Sequence, residues 1–348
     1  MLEILIKQMT RITRITIIVF ACLLYLTNIV GAQQARNVTK VSITVSDLAQ
    51  AIDFYTNVLS FQHKNSYTLE GKPIQRLFGI RDKQLKVNVA TLQLGAEHIE
   101  LMKFQSFKKG RTIPLDSKSN DLWFQHIAIV VNDMDKAYAK IMEHKVEHVS
   151  TAPQTLPDYI PAATGIAAFY FRDPDNHNLE LIYFPKGKGN PKWQIPTTHT
   201  FLGIDHSAIG IEETDASLEF FQDLLGLKVA GNSENYGVEQ EHLNQVFGAR
   251  LLITGLQAQA GFGVEFLDYI APPGGRPYPT DSSPLDLWHW HTSVEVEDAT
   301  AVYQQIQEAN YEIISSGLIE FDESSPLGHK GFLTRGPDGH AFLVYDTK

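Results

Sequence analysis

The chain has 348 residues, of which 43% are hydrophobic and 20% charged, a composition typical of a globular protein long enough for two domains. Its formal net charge of -11 provides no basic stripe for a phosphate backbone, which excludes nucleic acid and favours a small-molecule substrate. The single cysteine excludes a disulfide framework and cysteine metal sites, whereas a homodimer is compatible with the composition.

Residues 1–32 have the order of an export signal. Basic residues precede the apolar run 15–25, and the small residues Val30 to Ala32 follow at the position that an export peptidase cleaves. The sequence predicts cleavage after Ala32 and a periplasmic or secreted protein with no stable membrane association. An uncleaved anchor is the alternative, although the apolar run is near the lower limit for a spanning helix.

The remainder of the chain repeats one unit four times. Each unit opens with a short strand that closes on an acidic residue, continues with helical spacing and ends in further short strands. The opening strands are 40–47, 126–133, 206–213 and 291–298, and the closing strands contain Glu100, Glu180, Glu265 and Leu343. The pattern predicts an α+β protein made of four βαβββ modules.

Alternation in the opening strands separates two faces. Ile43, Ile129 and Ile209 occupy the face that should pack on the helices. The opposite face carries small or polar residues together with the first residue of each strand: Lys40, His126, His206 and His291. These leading side chains are therefore predicted to point into a ligand cavity.

These features resemble the vicinal oxygen chelate superfamily, which includes glyoxalase I, bleomycin-resistance proteins and extradiol dioxygenases. Residues 53–59, the His126 strand and the turn and strand 173–181 look like its helix, strand and turn signatures, and the likeness covers nearly all of 38–346. The resemblance implies modules paired into two barrel-like, curved-sheet domains. The expected domains are 38–185 and 204–347, with 186–203 as the linker.

In that superfamily, metal ligands come from the first position of each opening strand and from a glutamate of each closing strand. Carried over, this rule predicts one divalent ion, Zn, Mn, Fe, Ni or Co, bound by His206, Glu265 and His291. In the first pair the ammonium group of Lys40 has no lone pair and would replace a metal. If burial deprotonates this lysine, a second site stays open, with the ligands Glu100, His126 and Glu180.

One longer segment also occurs twice without a gap, as residues 110–126 and 275–291. Arg276 in the second copy could clamp a substrate oxygen, and with Tyr278 it is the candidate substrate-binding residue. The alternative is a structural latch of Arg, Asp and Trp. The presence of the same loop in both halves favours this latch.

The resemblance implies an exported, glyoxalase-like, metal-dependent lyase or isomerase acting on a small oxygen-rich substrate. Glu265 and His289 are the predicted catalytic residues, since a glutamate on the last strand moves the proton in glyoxalase-like members and His289 precedes His291 on the same face. One alternative is an extradiol-type dioxygenase. Another, from a different class, is a metal-free small-molecule binding or resistance protein.

Overall fold

The structure is a computed structural model that describes residues 35–322 and 325–347. The predicted export signal, 1–32, and its cysteine, Cys22, lie outside the described residues. Within the described ranges, no helix is both long and apolar enough to cross a membrane.

The first half of the chain contains two modules. The first consists of β1 (Asn37–Thr44), α1 (Leu48–Asp53, extended by a π turn over Phe54–Val58), β2 (Gln62–Glu70), α2 (Lys72–Leu77), β3 (Lys86–Leu94) and β4 (Glu97–Gln105). The second consists of β5 (Gln125–Val131), α3 (Met134–Glu143), β6 (Glu147–His148), β7 (Gln154–Thr155), β8 (Ala167–Arg172) and β9 (Asn178–Tyr183). A short 3-10 helix, Pro191–Gln194, lies in the linker.

The second half repeats this order. Its first module consists of β10 (Phe201–Ile211), α4 (Thr214–Leu218, extended by a π turn over Glu219–Leu224), β11 (Lys228–Tyr236), α5 (Val238–Asn244), β12 (Arg250–Gln257), β13 (Ala260–Gly261) and β14 (Gly263–Ala271). Its second consists of β15 (Trp290–Glu295), α6 (Ala299–Glu308), β16 (Ile319–Glu320), β17 (Lys330–Arg335) and β18 (Ala341–Asp346). The predicted α+β class and the four-module organisation are confirmed.

The strands form two open nine-stranded sheets. Sheet A joins the first and fourth modules in the order β16-β17-β18-β15-β1-β4-β3-β2, with β13 beside β1. Sheet B joins the second and third modules in the order β11-β12-β14-β10-β5-β9-β8-β6, with β7 beside β8. Neither path returns to its start, so the sheets are not closed barrels.

The predicted pairing of neighbouring modules within 38–185 and within 204–347 is wrong. At the centre of sheet A, β1 runs antiparallel to β15, and at the centre of sheet B, β5 runs antiparallel to β10. All four opening strands share one alternation pattern, so this pattern carries no information about which strand becomes the partner. The predicted linker consequently connects two modules of the same sheet, whereas the two copies of the repeated loop cross between the sheets.

The acidic residue that closes each opening strand caps the following helix. The side chains of Asp47, Asp133, Glu213 and Asp298 each accept a hydrogen bond from a backbone N–H in the first turn of their helix. Such an N-cap satisfies a donor that the helix itself leaves free. The repeated acid that defines the unit in sequence is therefore a helix-start signal.

The helices cover the outer faces of both sheets in one continuous apolar core. Ile43, Ile129 and Ile209 are at most 3% exposed and lie in this core, as the alternation predicts. The core also contains helix residues such as Ala137 and Val302. The opposite faces of the sheets remain free to carry polar side chains.

Candidate metal centre

Sheet B brings four potential metal ligands together at its centre. His126 on β5 and His206 on β10 come from the central antiparallel pair, and Glu180 on β9 and Glu265 on β14 come from the flanking parallel strands. The ligand atoms of His126, Glu180 and His206 all lie within 4.8 Å of one another. The four side chains therefore occupy every ligand position that the superfamily resemblance implies.

The side chains of this cluster lie close together, but their contacts do not form hydrogen bonds to the Nε2 atoms of the imidazoles. Nε2 of His126 lies 3.1 Å from Oε2 of Glu180, and Nε2 of His206 lies 3.6 Å from that oxygen and 3.4 Å from Oε1 of Glu265. Both Nε2 atoms are buried and have no hydrogen bond of acceptable geometry to any described residue. Buried polar atoms without partners are costly, and convergent imidazole nitrogens and carboxylates are suited to a divalent cation. The residues present therefore fit the implied metal.

The electrostatics distinguish the two carboxylates. Burial opposes ionisation of Glu180, but the imidazoles beside it outweigh burial and lower its pKa to about 2. Burial raises the pKa of Glu265 to about 7, and the charges of Glu180 and Asp205 add to this rise although His206 opposes it. Of the two carboxylates in the cluster, Glu265 is thus the one whose pKa lies nearer to neutral pH.

The histidines differ as well. Burial lowers the pKa of His126, which favours a neutral ring able to offer a lone pair. Burial alone would also lower the pKa of His206, but the surrounding carboxylates Glu265, Asp205 and Glu180 raise it well above its usual value. Without a bound cation, the excess negative charge of the cluster therefore draws a proton to His206.

A cavity of about 420 Å³ opens on this cluster, and Glu180, His206 and Glu265 all form part of its wall. Much of the remaining wall is apolar, including Leu156, Ile166, Phe184, Leu243 and Ile253. A smaller polar region contains Tyr170, Asn232, Ser233, Asn235 and Gln240. The prediction that the leading histidines face a ligand cavity is confirmed for His206.

At the matching positions of sheet A, Lys40 satisfies Glu100 without a metal, whereas Nδ1 of His291 is buried with no hydrogen-bond partner among the described residues. Nζ of Lys40 lies 2.6 Å from Oε1 of Glu100, and the same carboxylate accepts hydrogen bonds from Ser42 Oγ at 2.9 Å and Tyr67 Oη at 2.7 Å. Burial lowers the pKa of His291 to about 3, which keeps its ring neutral. Leu343 is 1% exposed in an apolar cluster. The inference that Lys40 takes the place of a cation agrees with this geometry.

The predicted metal sites are each split between the sheets. His206 and Glu265 meet in sheet B, but His291 lies on β15 of sheet A beside Ser42, so the predicted set of three does not assemble. In the same way, His126 and Glu180 meet in sheet B whereas Glu100 lies in sheet A. The predicted grouping was wrong because it depended on the module pairing, whereas the role of these residue types as metal ligands stays a prediction.

The predicted catalytic pair, Glu265 and His289, is also divided between the sheets. His289 immediately precedes β15 and its ring centroid lies 5.7 Å from that of His291. The ring is fully buried, and burial lowers its pKa well below the usual value. His289 therefore cannot serve as the proton-transfer partner of Glu265.

The repeated loop forms a reciprocal latch between the two sheets. Arg111 binds the carboxylate of Asp286 through Nε and Nη2, at 3.1 and 2.8 Å, and Arg276 binds Asp121 in the same way at 3.1 and 2.7 Å. Each guanidinium also lies 4.6 Å from a tryptophan ring of the other copy, Trp288 for Arg111 and Trp123 for Arg276. The donors of these arginines are thus used within the protein.

The assignment of Arg276 and Tyr278 to substrate binding is therefore not supported. Arg276 donates to Asp121 and Asp116, and Tyr278 is 8% exposed and packs on His340. Neither residue contributes to the wall of the cavity beside the metal cluster. The latch alternative agrees with all of these contacts.

Sequence reasoning missed several residues around the cluster. Asp205 lies 3.1 Å from Nδ1 of His206, and Trp193 of the linker donates to Asp205. Tyr170 and Gln240 form part of the polar cavity wall. The acidic residue directly before His206 was a visible signal, but in a regular strand it would point away from the site.

Comparison with known proteins places the chain in a family. The model of the Glyoxalase/Bleomycin resistance protein/Dioxygenase superfamily matches residues 37–181 and 203–342, and the chain belongs to this superfamily. A curated relative, a 2-epi-5-epi-valiolone epimerase from Actinomyces sp, is 32% identical over 162 residues, which cover 45% of this chain and 84% of the relative.

Solved structures share the architecture. Glyoxalase I from Zea mays aligns with a TM-score of 0.56 at 15% identity, covering 89% of this chain and 92% of that one. A putative dioxygenase from Bacillus subtilis aligns with the same TM-score at 12% identity, covering 91% and 86%. At such low identity these likenesses establish the fold alone.

Proposed function

We propose that this protein is a metal-dependent isomerase of the epimerase type, which moves a proton at a carbon beside a carbonyl of a small oxygen-rich substrate. The observation that carries the proposal is the cluster of His126, Glu180, His206 and Glu265, three of which, Glu180, His206 and Glu265, form part of one cavity wall. The identity to a curated epimerase supports this reaction class over other lyase or isomerase reactions.

His126, Glu180, His206 and Glu265 would hold the divalent cation, which when bound polarises a carbonyl and makes a neighbouring C–H more acidic. Glu265 is the base that takes the proton. Its side chain is 23% exposed whereas that of Glu180 is 6% exposed, so Glu265 is the more accessible carboxylate from the cavity. Burial raises the pKa of Glu265 to about 7 in the metal-free cluster. A carboxylate that faces the substrate can take its proton and return it.

The polar side of the cavity favours a hydroxylated substrate. Gln240 is 1% exposed, and its Oε1 has no hydrogen-bond partner among the described residues. A buried acceptor of this kind needs a donor, which a substrate hydroxyl supplies. Tyr170 stays protonated, because burial raises its pKa well above 10, and its hydroxyl can donate to a substrate oxygen. The apolar wall opposite fits the carbon skeleton of the substrate.

The test measures deuterium incorporation by NMR when metal-loaded protein is incubated in D₂O with polyhydroxylated cyclic ketones. Glu265→Gln should keep an oxygen ligand but lose exchange by about 100-fold, because an amide cannot accept the proton. Glu234→Gln is the control, since that glutamate pairs with Arg250 on the surface of the same sheet. Exchange that survives in Glu265→Gln would remove Glu265 from the mechanism.

Two further measurements separate the alternatives. Oxygen uptake with catechols by the iron-loaded protein, without deuterium exchange, would favour the extradiol-type dioxygenase. Purified protein that contains no metal and takes up none would instead indicate a small-molecule binding or resistance protein.

We also propose that residues 1–32 are an export signal and that the enzyme acts in the periplasm or outside the cell. The order of basic, apolar and small residues supports this proposal. Sequencing the N-terminus of protein recovered from outside the cytoplasm should give Gln33 as the first residue. An intact Met1 in a membrane fraction would contradict it.

A further inference from the structure

We infer that Asp205 and Trp193 are positioning residues that hold the imidazole of His206 in the tautomer and orientation that the metal centre needs. This inference rests on the proposed metal centre and assigns part of it to the linker between the two halves. It concerns residues that would not touch the cation themselves.

A β-bulge turns Asp205 toward His206. Along the β10–β5 pair, Ile204 lies opposite Ile129 and His206 lies opposite Ala128. Asp205 is therefore an extra residue that has no residue opposite it on β5. In a regular strand, neighbouring side chains point to opposite faces, and a bulge changes that direction. As a result, the side chain of Asp205 joins that of His206 in the wall of the same cavity.

The hydrogen bond from His206 to Asp205 selects one tautomer. Oδ2 of Asp205 lies 3.1 Å from Nδ1 of His206, so Nδ1 carries the proton and donates it to the carboxylate. Nε2, which faces Glu180 and Glu265, is then left with a lone pair for a cation. A carboxylate that accepts from a ligating histidine fixes the ring and increases its basicity.

Trp193 holds the other oxygen of the same carboxylate. Its Nε1–H donates to Oδ1 of Asp205 at 2.6 Å, which leaves Oδ2 directed at His206. The indole packs against the backbone of β10, where a Cβ in place of the Gly203 hydrogen would come within 2.8 Å of the ring. The absence of a side chain at Gly203 is what allows the indole to approach the strand this closely.

The linker helix is itself anchored next to this contact. Lys192 donates to Oε1 of Glu97 at 2.6 Å, and Oε2 of this buried glutamate accepts from the backbone N–H of Ile204 at 3.3 Å. Glu97 begins β4 of sheet A, so a residue of sheet A and the linker together brace the start of the strand that carries His206.

The other histidine of the cluster has no such support. Nδ1 of His126 has no hydrogen-bond partner among the described residues, and its ring packs between Phe124 and Tyr170 at centroid distances of 5.6 and 4.9 Å. The residues before the other three leading positions are Thr39, Gln125 and Trp290, none of which is acidic. The carboxylate support is therefore specific to His206.

The experiment measures binding of Co²⁺ alone to the full chain, by chelator competition and by the absorption spectrum of the bound ion. Asp205→Asn should weaken Co²⁺ binding by about 10-fold or more and alter the spectrum, because the amide can present its NH₂ group instead of an acceptor. Trp193→Phe should produce a smaller loss in the same direction. Asp205→Glu should restore part of the affinity, since it restores the carboxylate.

Trp123→Phe is the matched control. This change also removes an indole N–H that donates a partly buried hydrogen bond, at 2.8 Å to Ser117 Oγ, but it does so in the latch. Its Co²⁺ affinity and spectrum should equal those of the wild type, and metal-free Trp193→Phe and Trp123→Phe should have similar thermal unfolding midpoints.

The outcomes separate this inference from the proposed function. A wild-type protein that binds no Co²⁺ would defeat the metal centre and the inference with it. Wild-type binding with unchanged affinity and spectrum in Asp205→Asn would overturn the positioning role alone. If Asp205→Asn does not fold, Trp193→Phe tests the positioning role instead. A Co²⁺ affinity of Trp193→Phe equal to that of Trp123→Phe would overturn that role.

Discussion

The two sheets have the same plan, yet within the described residues only sheet B has a histidine or glutamate at all four potential ligand positions. At the centre of sheet B, four potential metal ligands lie together, and Nε2 of both histidines has no hydrogen-bond partner among the described residues. At the centre of sheet A, Lys40 neutralises Glu100 and Leu343 joins an apolar cluster. Lys40 and Leu343 thus stand in sheet A where sheet B has a histidine and a glutamate, and Glu100 is paired there without a cation. The difference shows that a duplicated fold can retain its shape while one of its sites becomes structural.

The sheets also differ in how the chain builds them, and this difference gives the prediction with the largest effect. Sheet B comes from one continuous stretch, whereas sheet A combines both ends of the described chain. A fragment of residues 121–272 should fold alone and bind one metal ion, while a fragment of residues 36–188, which holds half of each sheet, should not fold.

Circular dichroism with thermal unfolding of the two fragments, and metal analysis of the first, checks this prediction. The full chain is the control for both. A cooperative transition in the fragment 36–188 would mean that neighbouring modules pair after all.

The next prediction concerns the histidines. His126→Ala should lower the metal content from one ion per chain to less than about one tenth at limiting metal, since it removes a buried ligand from the proposed set of His126, Glu180, His206 and Glu265. His291→Ala, the equivalent change in sheet A, should leave the metal content unchanged because its ring lies beside the Lys40–Glu100 pair. Elemental analysis of the purified variants measures both. Retention of metal in His126→Ala together with its loss in His291→Ala would show that the metal binds in sheet A and not in sheet B.

A smaller effect is expected at the pair that replaces the cation. Lys40→Met should reduce the free energy of unfolding at pH 7 by about 3 kcal/mol, because it leaves the carboxylate of Glu100 buried without its cation. Lys86→Met is the matched control, since Lys86 pairs with Glu70 at 2.8 Å on the surface, where loss of the pair costs less than about 1 kcal/mol. Urea unfolding of both variants tests the contrast.

The same pair predicts a pH dependence with a definite sign. Burial raises the pKa of Glu100, but Lys40 and the hydrogen bonds from Tyr67 and Ser42 outweigh it and place the pKa below its usual 4.5. The stabilisation is therefore present above pH 4.5 and is lost as the pH falls through the folded pKa. The difference between wild type and Lys40→Met should shrink over that acid range, since a protonated Glu100 needs no cation. A difference that stays constant with pH would show that the charge of Glu100 plays no part.

The smallest predicted effect on stability is at the latch, where the two copies of the repeated loop make equivalent contacts. Arg276→Ala should cost about 2 kcal/mol, because it leaves the buried carboxylate of Asp121 without its guanidinium. Arg111→Ala should cost a similar amount, since its contacts repeat those of Arg276. Urea unfolding measures both, and Arg36→Ala, which breaks an exposed pair with Glu297, is the control. Unequal costs at the two arginines would show that the latch has lost its symmetry as well.

The sequence predicted the module and the residue types but not the assembly. The location of His206 on an opening strand, and of Glu265 on a closing strand, followed from local pattern and from resemblance to the superfamily, although β10 begins at Phe201, five residues before His206. Which opening strands pair is decided by long-range contacts that the shared alternation does not encode. The direction of Asp205 depends on a bulge in β10, which has no signal in the residue pattern either.

Each sheet combines one module from the first half of the chain with one from the second half, and this arrangement bears on why the two sites differ. Arg111 contacts Asp286 just as Arg276 contacts Asp121, which is the isologous contact of a two-fold dimer made within one chain. Each half of the chain therefore corresponds to one subunit of such a dimer. Each half contributes two of the four side chains at the centre of each sheet. In a dimer of identical subunits, a substitution alters both sites at once. Within one chain, Lys40 and Leu343 fall in one site only, so that site can differ while the other has all four potential ligands.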